Sequence, residues 1–93
     1  MRIEGIIWFD EIIEKLEWKH NVQPREVTEV FVNKPQFRFV EKGHRSGENV
    51  YAAMGQTYTG RYLIVFFIYK KDKRVFILSA RNMTDRERRI YER

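Results

Sequence analysis

Cysteine is absent from the 93-residue chain. That excludes disulfide staples, thiolate metal sites and cysteine nucleophiles, and is compatible with a reducing compartment. Histidine is scarce: His20 and His44 are the only two. They lie far apart, with no histidine or cysteine at ligand spacing, so no metal site and no cofactor is expected. Gly43 and Gly47 flank a turn, but no helix with a lysine follows, which rules out a glycine-rich phosphate loop. A nucleophile elbow is missing too. No apolar run reaches the length of a membrane span, and the N-terminal MRIEGIIWFDE lacks a signal-peptide hydrophobic region. The expected address is the cytoplasm, with no membrane partner.

What is present is a globular composition, 43% hydrophobic and 33% charged, enough for one domain over residues 1–93 with one modest core. The formal net charge of +5 attracts polyanions at long range, although solubility alone accounts for such a charge in many small domains. The chain is organised around RYLIVFFIY, Arg61 to Tyr69. Its unbroken, β-branched and aromatic apolar centre reads as a central strand that needs cover on both faces.

The remaining elements follow from period and punctuation. Ile6 to Phe9 is a short apolar run, read as a first strand or a packed arm. Asp10 is a candidate cap for a helix over 11–20 with Ile12, Ile13 and Leu16 as its apolar stripe. Pro24 opens a second helix over 24–33, whose stripe is Val27, Val30 and Phe31 and whose Glu26 and Glu29 point outward; Lys34-Pro35 ends it. The period then changes to two. Strands are expected from Phe37, from Asn49 to Gln56, across the central stretch, and from Arg74 to Arg81, where Val75, Ile77 and Ser79 face one way and Phe76, Leu78 and Ala80 the other. Thr84 and Glu87 have capping-box spacing and open a final helix. The expected fold is α+β: two N-terminal helices, a four-stranded antiparallel meander with the helices on one face, and a short C-terminal helix.

One reaction class suits the residue types that remain. RNA cleavage by its own 2′-hydroxyl needs a base, an acid and cations around the phosphorane, without metal. Histidine suits the proton transfers, and arginine the phosphate, through its bidentate fork. Candidate catalytic groups are Arg81 at a strand end, His20 at a helix C-terminus, His44 in a polar turn, and Glu87 and Tyr91 on the last helix. Arg38, Lys19, Arg45 and Arg88 are candidate RNA contacts. The bland alternatives are a His20 that serves the helix dipole, an Arg81 paired to Glu87 or Glu92, and a merely solvated arginine-rich last helix.

Trp8, Lys19-His20, Glu29-Val30-Phe31, Gly60-Arg61-Tyr62-Leu63, Ile77-Leu78-Ser79-Ala80-Arg81 and Glu87 with Tyr91 occur in an order that resembles the BrnT toxin family over essentially the whole chain. The Ser-Ala-Arg strand ending, followed by Glu and Tyr four apart, is the most specific part. The resemblance implies a RelE-like fold and a ribonuclease toxin of a type II toxin–antitoxin pair. It also implies a small antitoxin partner with a DNA-binding part, and an active site around Arg81, Glu87 and Tyr91 with Lys19 and His20 nearby. The sequence departs from the family at Phe9, where Asp is usual, at Leu16, where Asn is usual, and at Asn21, where Gly is usual. A second reading is a non-catalytic module of the same fold that binds a protein or RNA.

Overall fold

The computed structural model describes all 93 residues. The order is β1 (Gly5–Ile7), α1 (Asp10–His20), α2 (Pro24–Val32), β2 (Gln36–Glu41), β3 (Val50–Gln56), β4 (Tyr62–Tyr69), β5 (Arg74–Asn82) and α3 (Asp85–Tyr91). The strands form one sheet in the order β1-β5-β4-β3-β2. Four of them are the expected antiparallel meander. The short run Gly5–Ile7 adds a fifth, which pairs parallel to β5 and makes the sheet mixed rather than purely antiparallel. Its signal was weak because three residues cannot display a period. The architecture is α+β and broadly RelE-like.

Local chemistry sets the helix ends. Phe9 rather than Asp10 stands at the N-cap of α1, leaving Asp10 and Glu11 in the first turn, where the helix dipole favours them. Asn21 closes α1 in the left-handed region, φ 51°, which its short polar side chain tolerates. Pro24 occupies the first turn of α2, and Glu26 accepts from the Gln23 backbone N–H. α1 packs on β5, and α2 on β3 and β4.

Both faces of β4 are covered. On one face Leu16, Val22, Val27 and Val30 from the helical side meet Ala53, Leu63, Val65, Phe67, Val75, Ile77 and Ala80. On the other, Ala52, Met54 and Ile64 are sealed by Phe66, Met83, Ile90 and Tyr91. The helices therefore do not share one face: α1 and α2 lie on the first and α3 on the second. A seven-residue helix is too short to stand without this packing.

A bulge in β5 corrects the expected alternation. Phe66 pairs with Ser79, yet Phe67 pairs with Ile77, so Leu78 is the extra residue. Val75, Ile77 and Ala80 consequently face the same core, all fully buried, and Ser79 and Arg81 turn to the opposite face. Without the bulge the parity of β5 would place Arg81 against the α1 side. Glu29 also departs from expectation. It is only 7% exposed, because its carboxylate accepts from the Tyr58 backbone N–H and from Arg25 and so pins the β3–β4 turn to α2.

Candidate active site at the β5–α3 junction

The bulge delivers Arg81 beside Ile64, its partner on β4, with its guanidinium over the Phe66 ring at 5.5 Å. There it meets Glu87 end-on: Nη1 donates to Oε1 at 2.7 Å and Nη2 to Oε2 at 3.0 Å. Nη1 also donates to the Asn82 carbonyl at 3.1 Å. Glu87 is the capping-box residue of α3, so the same Oε1 accepts from the Thr84 backbone N–H at 2.8 Å while Thr84 Oγ1 accepts from the Glu87 N–H at 3.1 Å. One carboxylate thus closes the helix start and fixes the arginine.

The pair is partly shielded, with side chains 34% and 24% exposed. The guanidinium hydrogen bonds, then the Thr84 N–H and the positive charge of Arg81, hold the Glu87 carboxyl below the usual carboxylate range. Glu87 reciprocally raises Arg81. Glu87 thus favours its ionised form and accepts three hydrogen bonds, two at Oε1 and one at Oε2. The donor inventory of Arg81 is more informative. A guanidinium has five N–H groups in two usable forks. Glu87 takes the end fork, and the side fork, formed by Nε–H and the outer N–H of Nη2, has no partner in the chain.

Other expected residues gather here. Tyr91 packs into the second core and sets its ring edge-on to Tyr62 at 6.0 Å. Its carbonyl accepts from Gln36, while its hydroxyl bonds to nothing in the chain. Arg88 lies over the Tyr62 ring at 3.9 Å and pairs with Glu92, so its charge is part of the scaffold of α3 as well as of the surface. Arg38 pairs with Ala52, one alternate position along from the Gln36–Met54–Ile64–Arg81 row, on the same sheet face and exposed.

Lys19 and His20 are at this end of the sheet but on the other face. A hub that the sequence did not single out joins them to it. Arg61 donates to the carbonyls of His20 and Asn21, to Glu26, and through Nε to Asn82, the neighbour of Arg81. The Gly-Arg-Tyr-Leu motif gave a position for Arg61 without its role. The His20 imidazole is half-buried and makes no hydrogen bond in the chain. Of two residues that differ from the usual pattern of the family it resembles, one is absorbed by the core and the other packs at the surface, half exposed. Leu16 is core, and Phe9 sits edge-on to Phe76 at 4.8 Å.

His44 and Arg45 are not brought to this junction. They lie in the β2–β3 loop beside Val50 and Ile68, four residues along the strands from the Met54–Ile64 row, about 13 Å at 3.3 Å per residue. No group of three or more His, Cys, Asp or Glu could hold a metal ion, and no helix is long and apolar enough to cross a membrane.

Residues 9–87 match the family model described as ribonuclease toxin, BrnT, of type II toxin-antitoxin system. No curated protein matches the chain.

Proposed function

The chain belongs to the BrnT family of ribonuclease toxins of type II toxin–antitoxin systems, and from that premise we propose that the β5–α3 junction is its RNA-cleaving centre. Family membership makes the protein an RNA endonuclease toxin, with RNA as its target and an antitoxin as its partner. The residues and the chemistry are our assignment. Arg81 binds the scissile phosphate through its free side fork while Glu87 holds the other fork and fixes the plane of the guanidinium. The observation that carries this reading is that division of donors, one fork satisfied and one open on the same side chain.

The reaction is an internal transesterification without metal. A base takes the 2′-hydroxyl proton, the 2′-oxygen attacks the adjacent phosphorus, and the 5′-oxygen leaves with a proton from an acid. The products are a 2′,3′-cyclic phosphate and a 5′-hydroxyl. Charge builds on the non-bridging oxygens in the phosphorane, where the side fork of Arg81 donates two parallel bonds. The unbonded Tyr91 hydroxyl is the acid. His20 lies on the opposite face of the sheet, so it joins Lys19 in holding the strand where it crosses the end of β5, and the 2′-hydroxyl proton passes to water. Arg38 and Arg88 hold flanking phosphates, with Lys19 on the His20 side. We further propose that the antitoxin carries a DNA-binding part.

End-group analysis of RNA cut by the purified protein, together with growth of bacteria expressing wild type or Arg81→Ala, tests this. Cyclic phosphate ends and growth arrest for the wild type, both lost in Arg81→Ala, are expected. RNA binding without any cleavage would leave the non-catalytic module as the function. Products with 3′-hydroxyl ends would refute the chemistry.

A further inference from the structure

At the end of the sheet remote from α3 is a concavity of about 600 Å³. Its floor is Val50 and Ile68, and its rim carries Glu41, Lys42, His44, Arg45 and Glu48. Glu41, Val50 and Ile68 are consecutive cross-strand partners, and Val50 and Ile68 are each four residues from Met54 and Ile64. Even spacing keeps the concavity on the face that carries Arg81.

Glu4, Glu26, Glu29, Asp72, Glu87 and Glu92 are each paired to an arginine. None of the five ionisable side chains of the rim takes part in an ion pair, and each is free to meet a ligand. The loop that bears them is nevertheless built. The Gly43 N–H donates to Asn49 Oδ1 at 3.1 Å, and the Glu48 N–H to the Arg45 carbonyl at 3.2 Å. Gly43 lies so close to the Glu48 carbonyl that a Cβ there would stand 2.3 Å from its oxygen. Only glycine permits that approach, and the approach sets Arg45 and Glu48 on one turn.

The charges decide the ligand class. Lys42 and Arg45 balance Glu41 and Glu48, so the concavity has no excess charge with which to hold a phosphate. An apolar floor with a rim of both donors and acceptors instead matches a flat, neutral, hydrogen-bonding group. Guanine presents O6 and N7 to an arginine fork, and its N1–H and 2-amino group to a carboxylate. We propose that this concavity takes a guanine base of the substrate RNA, with Arg45 on the O6/N7 edge and Glu48 on the N1/N2 edge. It rests on the assignment of Arg81 above. The separation of about 13 Å corresponds to about four nucleotides at the stacked spacing of about 3.4 Å.

The test uses the whole protein and oligonucleotides of about ten residues, all uridine except for one guanosine or one adenosine. Binding is read by fluorescence anisotropy on 2′-O-methylated, uncleavable versions, and the position of cutting on the unmodified ones. The guanosine oligomer should bind roughly tenfold tighter than the adenosine one. Arg45→Ala and Glu48→Gln should each remove that preference while leaving the melting temperature within about 2 °C, since both side chains are unpaired and at the surface. Cutting should keep a fixed offset when the guanosine is moved. Equal binding of the two oligomers, or a preference that survives both substitutions, overturns the assignment. So does an effect of the two substitutions confined to affinity for the antitoxin. The binding arm needs no cleavage: loss of the Arg81 reading would abolish cutting and leave the guanosine preference, whereas failure of the pocket would leave cutting without an offset.

Discussion

Replacing Glu87 by glutamine keeps the shape of the side chain and removes its charge, which separates holding Arg81 from shielding it. The carboxylate accepts three bonds, from Arg81 Nη1 at 2.7 Å, Arg81 Nη2 at 3.0 Å and Thr84 N at 2.8 Å. An amide oxygen can keep the two that share Oε1, but its NH₂ then points donor-to-donor at Nη2. The loss is one charge-assisted bond and the ion pair. Because the pair is a quarter to a third exposed, screening trims the cost to about 1–2 kcal/mol. In a domain of this size that lowers Tm by roughly 5–15 °C. Stability of at least about 5 kcal/mol would still leave nearly all molecules folded at 25 °C. Cleavage should nevertheless fall by about 10- to 100-fold, since a misaimed guanidinium loses the phosphorane geometry. RNA affinity should hold or rise, because the substitution adds one to a formal net charge of +5. The assays are single-turnover cleavage, anisotropy on uncleavable RNA, and a circular dichroism melt. Faster cleavage in Glu87→Gln would refute the reasoning, because it would mean that Glu87 masks Arg81 rather than aims it.

Two other perturbations probe the frame around the site. Arg61→Ala strips donors from the carbonyls of His20 and Asn21 and leaves Glu26, whose side chain is 12% exposed, without its cation. A loss of about 2–4 kcal/mol in a urea melt is expected, and an unchanged midpoint would remove Arg61 as the link between α1 and the sheet. Acid should also weaken the fold. Glu29 is held below the usual carboxylate range by the Tyr58 N–H and then by Arg25, and Glu87 by Arg81. Depressed folded values mean stability that is present above the ordinary carboxylate pKa and lost as pH falls through the folded value. Tm should therefore drop between about pH 5 and about pH 2, and Glu29→Gln should flatten that drop. A profile in Glu29→Gln as steep as that of the wild type would contradict the buried role of Glu29.

Much of the frame was legible because it rests on local signals. The stripes of α1 and α2, Pro24 and Pro35, and the long apolar run of β4 each announce themselves within a few residues. The features that position the site are not local. The Leu78 bulge carries no turn residue; it exists because Val75, Ile77 and Ala80 must share one core, and strict alternation cannot achieve that. The parallel strand β1 is three residues long. Glu29 and Arg61 look like surface charges in sequence, and only the tertiary structure supplies the Tyr58 N–H for one and the α1 carbonyls for the other. The strand-ending Arg81 and the Thr84–Glu87 spacing did identify the junction. The side of the sheet it faces, and the separation of His44 from it, followed from the bulge and the register.

The most direct test of the central claim is single-turnover cleavage by Arg81→Lys, with its melt measured on the same sample. Lysine keeps the charge and one contact to Glu87 but has no second fork. If the open fork holds the scissile phosphate, the rate should fall by roughly 100- to 1000-fold, as when a transition-state donor is removed. The melt should show a loss of only about 1 kcal/mol, far too little for unfolding to explain such a rate. A variant that cleaves RNA at a rate proportional to its folded fraction would contradict the account.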